Sequence, residues 1–343
     1  MGLSSNALCA KAKAMYGGRL THEVYLDLLR KQSLGDVVSY LKAQTSYGEC
    51  LKDINVRNVH RQQIEDCLNK EYFKRCGRLM KYADKSHLDF YMCEIINIEI
   101  SFIMEKMYCL KANVKESFHL SLPDYLAHKT SFNIYGLINI DTYDELVKYL
   151  EKTRYYKVLK DVDFHISCDL NEINIQLQKI YYESFVTIIN HHFKGHIRKE
   201  LLDILYTSIE LKNITKIYRF KEYFHESEES IRNALFLQYS RLSKNMISQL
   251  CCAATSKEVL DIIASSRYHL YLDEKEYTYI EYYTENIKYN IAKKYMRFSN
   301  NAALVYMTYC ILQKIEIDNL KHIIEGVRYH QDASTIEATL IYA

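Results

Sequence analysis

The chain is 343 residues long, with one proline, nine glycines, no tryptophan and 32 tyrosines. Average usage would supply roughly 17 prolines and 24 glycines, so sandwiches, barrels and propellers, which need turn residues every few positions, are excluded, as are doubly wound α/β domains. A hydrophobic content of 48% excludes disorder, and a formal net charge of +2 argues against a nucleic-acid groove or a polybasic membrane anchor. An all-α protein remains, too long for one core and therefore built of two or three subdomains.

The start of the chain has no apolar signal core, and Met1-Gly2-Leu3-Ser4-Ser5-Asn6 places asparagine where a myristoylation signal wants Ser or Thr. Lys11, Lys13 and Arg19 precede the first acid, Glu23. They form a basic segment that could touch acidic loops or lipid headgroups, although a solvated helix face explains it more simply. Thr21 before His22-Glu23 signals a helix start, and Tyr25, Leu28, Leu29, then Val37, Val38 and Leu41, recur at helical spacing. Pro123 fits the first turn of a helix beginning near Asp124. Asp141-Thr142 before Tyr143 and Ser256 before Lys257-Glu258 signal two further starts.

Two signatures recur three times. Glu-x-x-Asn occurs as Glu94/Asn97, Glu210/Asn213 and Glu316/Asn319, each followed by Ile98, Ile214 or Leu320. Flanking apolar residues (Phe90, Tyr206, Leu312; Ile95, Leu211, Ile317; Phe102, Tyr218, Ile324) place each pair on a helical stripe. The second signature reads Thr45-Ser46-Tyr47-Gly48-Glu49-Cys50-Leu51, Thr153-Arg154-Tyr155-Tyr156-Lys157-Val158-Leu159 and Ser266-Arg267-Tyr268-His269-Leu270-Tyr271-Leu272. Two unrelated patterns in one order, at a period of roughly 110 residues, predict three homologous helical units with boundaries at 1–122, 123–229 and 230–343. Three units can close around a pseudo-threefold axis, leaving a central cavity, or run as an open arc. The shared Glu-Asn pairs, with Tyr47, Tyr155 and Tyr268, are read as ties that fix the repeat geometry, against the alternative of carboxylates lining a channel.

Catalytic motifs are missing. Nine scattered glycines assemble neither Gly-x-x-x-x-Gly-Lys-Ser/Thr nor Gly-x-Gly-x-x-Gly, and there is no His-Glu-x-x-His or Gly-x-Ser-x-Gly. Asp161-Val162-Asp163 lacks the rest of a magnesium cluster. His192, His196 and Glu200, spaced i, i+4, i+8 with His191 adjacent, are the best metal candidate, with a solvated polar face the simpler reading. Ten cysteines (9, 50, 67, 76, 93, 109, 168, 251, 252 and 310) show no Cys-x-x-Cys and read as reduced, mostly buried thiols of a cytosolic protein. Cys251-Cys252 sits in the apolar run 246–254, which favours packing over redox work. Asn213-Ile214-Thr215 matches a glycosylation sequon inside a repeat signature and is discounted. The longest uncharged stretch, 298–313, is 16 residues, too short and polar to span a bilayer, so a chain soluble on its own is expected.

The opening Asn6-Ala7-Leu8-Cys9-Ala10-Lys11-Ala12-Lys13-Ala14-Met15-Tyr16, the segment 41–51 and the closing Asn319-Leu320-Lys321-His322-Ile323-Ile324-Glu325-Gly326-Val327 resemble the central-stalk subunit of V-type and A-type ATPases. Prokaryotes know it as the C subunit and eukaryotes as the d subunit. The family often carries arginines where this chain has Lys11 and Lys13. The resemblance implies an all-helical funnel of three similar subdomains around a pseudo-threefold axis. It would sit on the cytoplasmic face of the proteolipid ring, receive the central shaft and turn with the rotor. It implies no catalytic site, cofactor, bound nucleotide or nucleic acid, with ion or proton transport left to the rest of the complex. A freestanding helical scaffold is the competing reading, and an all-α enzyme survives only if the His192/His196/Glu200 face binds metal.

Overall fold

The computed structural model describes residues 3–114, 122–164, 168–268 and 280–342, and among them every regular element is a helix. The chain divides into two compact units, Met1–Asp84 with Lys199–Ala343, and Lys85–Arg198 between them. No helix among the described residues is long and apolar enough to cross a membrane.

The first unit opens with α1 (Leu3–Gly17), α2 (His22–Leu29), α3 (Leu34–Gln44), α4 (Gly48–Leu51) and α5 (Arg61–Met80). The second holds α6 (Leu88–Met92), α7 (Glu94–Ala112), α8 (Asp124–Ala127), α9 (Tyr143–Tyr149), α10 (Tyr156–Leu159) and α11 (Leu170–His192). The chain then enters α12 (Gly195–Arg219), extended by a π turn at Phe220–Phe224, followed by α13 (Glu228–Asn233), α14 (Lys244–Cys252) and α15 (Ser256–Ala264). It ends with α16 (Ile280–Phe298), α17 (Ala302–Arg328) and α18 (Ala333–Glu337).

Hydroxyl and amide caps start many of these helices. Thr142 closes a capping box with Glu145 at α9, whereas Thr21, at the start of α2, donates its hydroxyl to the Glu23 carboxylate at 2.9 Å and makes no cap bond to the backbone. Thr255, one residue before the expected Ser256, caps α15 by accepting from the Glu258 N–H at 3.2 Å. The Pro123 carbonyl accepts the first bond of α8 from the Leu126 N–H at 2.9 Å, the position just outside the helix. Asn301 opens α17 by accepting from the N–H groups of Ala303 and Leu304.

Burial holds the elements together. In the first unit, Ile317, Leu320, Ile324 and Val327 of α17 pack with Leu28, Val38, Leu41 and Leu68 from α2, α3 and α5. A second cluster joins Leu211, Ile214 and Ile217 of α12 to Ile231, Leu250, Val259, Ile263 and Ile287. Each such side chain contributes roughly 1.5–3 kcal/mol. In the second unit α7 packs on α11, and the Phe90, Phe185 and Phe193 rings meet at 5.0–5.7 Å.

The stops of the three signature helices explain how a glycine-poor chain turns. Asn113, His225 and His330 have φ of 53°, 51° and 52°, and they follow the ends of α7, of the π turn after α12, and of α17. Each stands where glycine usually ends a helix, at a steric cost of roughly 1–2 kcal/mol. The Val114 N–H reaches back to the Cys109 carbonyl and that of Gln331 to Gly326, satisfying the orphaned helix-end carbonyls.

Candidate functional site

Three buried joints are the chemically distinctive places in this molecule. In each, a tyrosine phenol donates to a carboxylate on a long helix: Tyr47 to Glu316 of α17 at 2.7 Å, Tyr155 to Glu99 of α7, and Tyr268 to Glu210 of α12. All three tyrosines are at most 1% exposed. The backbone at each is set the same way. The hydroxyls of Thr45, Thr153 and Ser266 donate back to the carbonyls of Leu41, Leu150 and Ile263 at 2.6–2.7 Å. They also accept from the N–H of Tyr47, Tyr155 and Tyr268 at 3.2–3.3 Å, which turns the chain and aims the ring inward.

The same carboxylates take backbone N–H groups from the chain entering the next helices. Glu316 accepts from Leu20 at 2.8 Å, Glu99 from Ser131, and Glu210 from Arg241 and Leu242 at 2.6 and 2.9 Å. The separations agree: 32 residues from Glu99 to Ser131 and from Glu210 to Leu242, then 56 and 58 residues to the tyrosines. Glu316 makes the equivalent contacts with Leu20 and Tyr47, 296 and 269 residues away at the other end of the chain. The helix ends keep the same phase, since Asn113 follows Glu99 by 14 residues and His330 follows Glu316 by 14. His225 follows Glu210 by 15, and the π turn at Phe220–Phe224 absorbs the extra residue.

Burial, then the neighbouring carboxylate, pushes the ionisation of all three tyrosines above the ordinary phenol range, because both disfavour a phenolate. The cations differ. Arg75 of α5 lies 4.3 Å above the Tyr47 ring, is buried, and donates to Glu71 at 3.0 Å, to Gln313 at 3.1 Å and to Ser46 Oγ at 2.9 Å, with Glu316 at 3.6 Å. Exposed Arg267 lies 5.0 Å above the Tyr268 ring, and exposed Arg154 donates to Ser184.

The Glu-x-x-Asn spacing points to Glu94 in the first copy, but the structure gives that part to Glu99. Glu94 is exposed, accepts from Tyr181 and Asn97 at 2.8 and 2.7 Å, and so ties α7 to α11. Asn97 also accepts from Gln178 at 3.1 Å. Asn213 and Asn319 are buried, accepting from the N–H of Phe236 and Ile341 at 3.0 Å each. Burial of Asn213 also removes the sequon from reach of any glycosylating enzyme. Sequence reasoning misses Glu99, Arg75 and Gln313. Glu99 carried a usable signal, an acid flanked by Ile98 and Ile100 on an apolar stripe.

The remaining candidates separate. His192, His196 and Glu200 do not share one helix: α11 stops at His192, and Gly195, with φ 59°, turns the chain into α12. His192 Nε2 instead pairs with Asp89 at 2.8 Å, and among the described residues no group of three His, Cys, Asp or Glu can hold a metal. All ten cysteines are free, four of them buried. Cys251 packs in the core, while Cys252 is exposed and donates to Glu228 at 3.1 Å. Lys13 donates to Asn300 at 3.1 Å, Arg19 lies 4.6 Å over the Tyr16 ring, and Lys11 is exposed. Residues 269–272 of the third tyrosine signature lie outside the described residues.

Comparison with known proteins gives one consistent result. The family description "ATP synthase (C/AC39) subunit" matches residues 8–339. The C subunit of the A-type ATP synthase of Archaeoglobus fulgidus is 22% identical over 354 aligned positions, covering 97% of this chain and 95% of that protein. The protein of the same name from Methanosarcina acetivorans is 26% identical over 192 positions, covering 54% of this chain and 51% of that protein.

Proposed function

The chain belongs to the ATP synthase (C/AC39) subunit family, whose members are structural rather than catalytic parts of the stalk, and from that premise we propose that it is the socket joining the central shaft to the proteolipid ring. It would turn with the rotor on the cytoplasmic face of the membrane and carry torque between a narrow helical shaft and a wider ring. The observation that carries this reading is the family match over residues 8–339, nearly the whole chain.

The joints support it physically. A torque adaptor must resist deformation, and each joint fixes a long helix, an entering chain segment and an aromatic ring through buried hydrogen bonds to one carboxylate. We read the three joints as the repeat of three homologous units. In the cyclic order of the chain each tyrosine serves the carboxylate of the unit before it, with Tyr47 serving Glu316.

Affinity purification of the tagged chain from native membranes tests the proposal. Shaft proteins and detergent-solubilised ring are expected to co-purify, and the isolated chain is expected to hydrolyse no ATP. Purification without either partner, or intrinsic ATPase activity, would overturn it.

A further inference from the structure

Cys76 of α5 and Cys310 of α17 stand with their sulfur atoms 3.4 Å apart, although 234 residues separate them in sequence. Cys76 is 6% exposed and Cys310 is half-buried, so a small oxidant reaches the Cys310 sulfur first. Their helices pack directly, and the flanking residues Arg75 and Tyr309 both bond to Gln313. The two thiols are therefore held face to face by the packed network around the first joint. A disulfide has an S–S length of about 2.0 Å, so closure needs an approach of roughly 1.4 Å, within the reach of side-chain rotation and a slight shift of two helices.

We infer that Cys76 and Cys310 form an oxidant-responsive disulfide site that locks α5 to α17. With hydrogen peroxide as oxidant, the Cys310 thiolate attacks one peroxide oxygen, the O–O bond breaks, and the products are a Cys310 sulfenic acid and, after protonation, one water. The Cys76 thiol then loses its proton and attacks the Cys310 sulfur, forming the S–S bond and releasing the sulfenic oxygen as a second water. Two thiols are oxidised by two electrons in all, and one peroxide is reduced to two waters. The bond would link the early and late segments of the first unit, whose core is shared by α2, α3, α5 and α17. A cross-link between segments so distant in sequence restrains the unfolded chain strongly.

The test uses the full-length protein. It is treated with hydrogen peroxide, its remaining thiols are blocked with N-ethylmaleimide, and it is digested with trypsin without reductant. Cleavage after Arg75 and Arg78 isolates Cys76 in peptide 76–78, and cleavage after Arg297 and Lys314 isolates Cys310 in peptide 298–314. The expected result is a linked pair of these peptides, two hydrogens lighter than their sum, appearing as both free thiols vanish together and reverting with dithiothreitol. Thermal unfolding should move upward on oxidation and return on reduction. In Cys76→Ser the Cys310 sulfenic acid should persist and be trapped by dimedone, a readout that wild type gives only transiently. A stable dimedone adduct at Cys310 in wild type with Cys76 still fully alkylated would overturn the inference. So would oxidation confined to exposed Cys252, or a Cys310 disulfide to any other cysteine.

Discussion

The first and second joints make the same hydrogen bond in different electrical surroundings. At Tyr47 the carboxylate of Glu316 shares a buried cation, Arg75, with Glu71, and Gln313 bridges phenol, carboxylate and guanidinium. At Tyr155 the carboxylate of Glu99 is 1% exposed and is served by the phenol and the Ser131 N–H, while the adjacent Arg154 is exposed. One geometry is thus kept by two strategies: an ion network at the first joint, and two directed hydrogen bonds at the second. The lesson is that local geometry recurs among the joints more faithfully than the charges that stabilise it.

The largest expected effect separates the strategies. Arg75→Met leaves Glu316 buried without its cation and Glu71 with only the half-exposed Lys74 at 3.6 Å, and should destabilise the protein by about 3–5 kcal/mol. Arg154→Met should change little, because its charge is already in water. Denaturant unfolding of both variants checks this, and equal losses would erase the distinction. Next come the phenols. Tyr155→Phe removes one of two donors to a buried carboxylate and should cost about 1.5–3 kcal/mol, the range for hydrogen bonds to charged groups. Tyr47→Phe should cost about 1 kcal/mol, since Gln313 and Arg75 still serve Glu316.

Alkaline pH should weaken all the joints together. A group whose ionisation is raised on folding contributes its full stability below its unfolded value, near pH 10 for tyrosine, and loses that contribution as pH climbs toward the folded value. Tyr47, Tyr155 and Tyr268 are such groups. The unfolding midpoint should therefore fall as pH rises above about 10, and their phenolate absorbance should appear only as the chain unfolds. Phenolate signal from these residues in the folded protein would show that the joints are open to solvent. The smallest effect lies at the helix ends: His330→Gly or Asn113→Gly removes left-handed strain and should raise stability by up to ~1 kcal/mol.

Much of this was legible in the sequence. Scarce Gly and Pro foretell the all-helical fold, and helical spacing places Tyr25, Leu28, Val38 and Leu41 in the core. The tyrosine signature is readable because its Thr or Ser and its ring sit within three residues, so local geometry and sequence coincide. The carboxylate signature is readable in two copies. In the first, Phe102 stands three residues after Glu99 where the others have asparagine, while Glu94 and Asn97 reproduce the spacing on a half-exposed part of the same helix. Burial decides between the two acids, and spacing alone does not encode burial. The pairing of Tyr47 with Glu316 is illegible for another reason: no local pattern announces a contact across 269 residues. The helix stops were hidden too, because they fall not to glycine but to Asn113, His225 and His330.

The central claim is that one joint is made three times, with Glu99 as its carboxylate in the second unit. A double-mutant cycle on Tyr155→Phe with Glu99→Gln, run beside Tyr155→Phe with Glu94→Gln, measures it most directly. A coupling of about 1 kcal/mol or more with Glu99, and none beyond the few tenths of additivity error with Glu94, is the predicted result. Coupling to Glu94, with Glu99 additive, would contradict it.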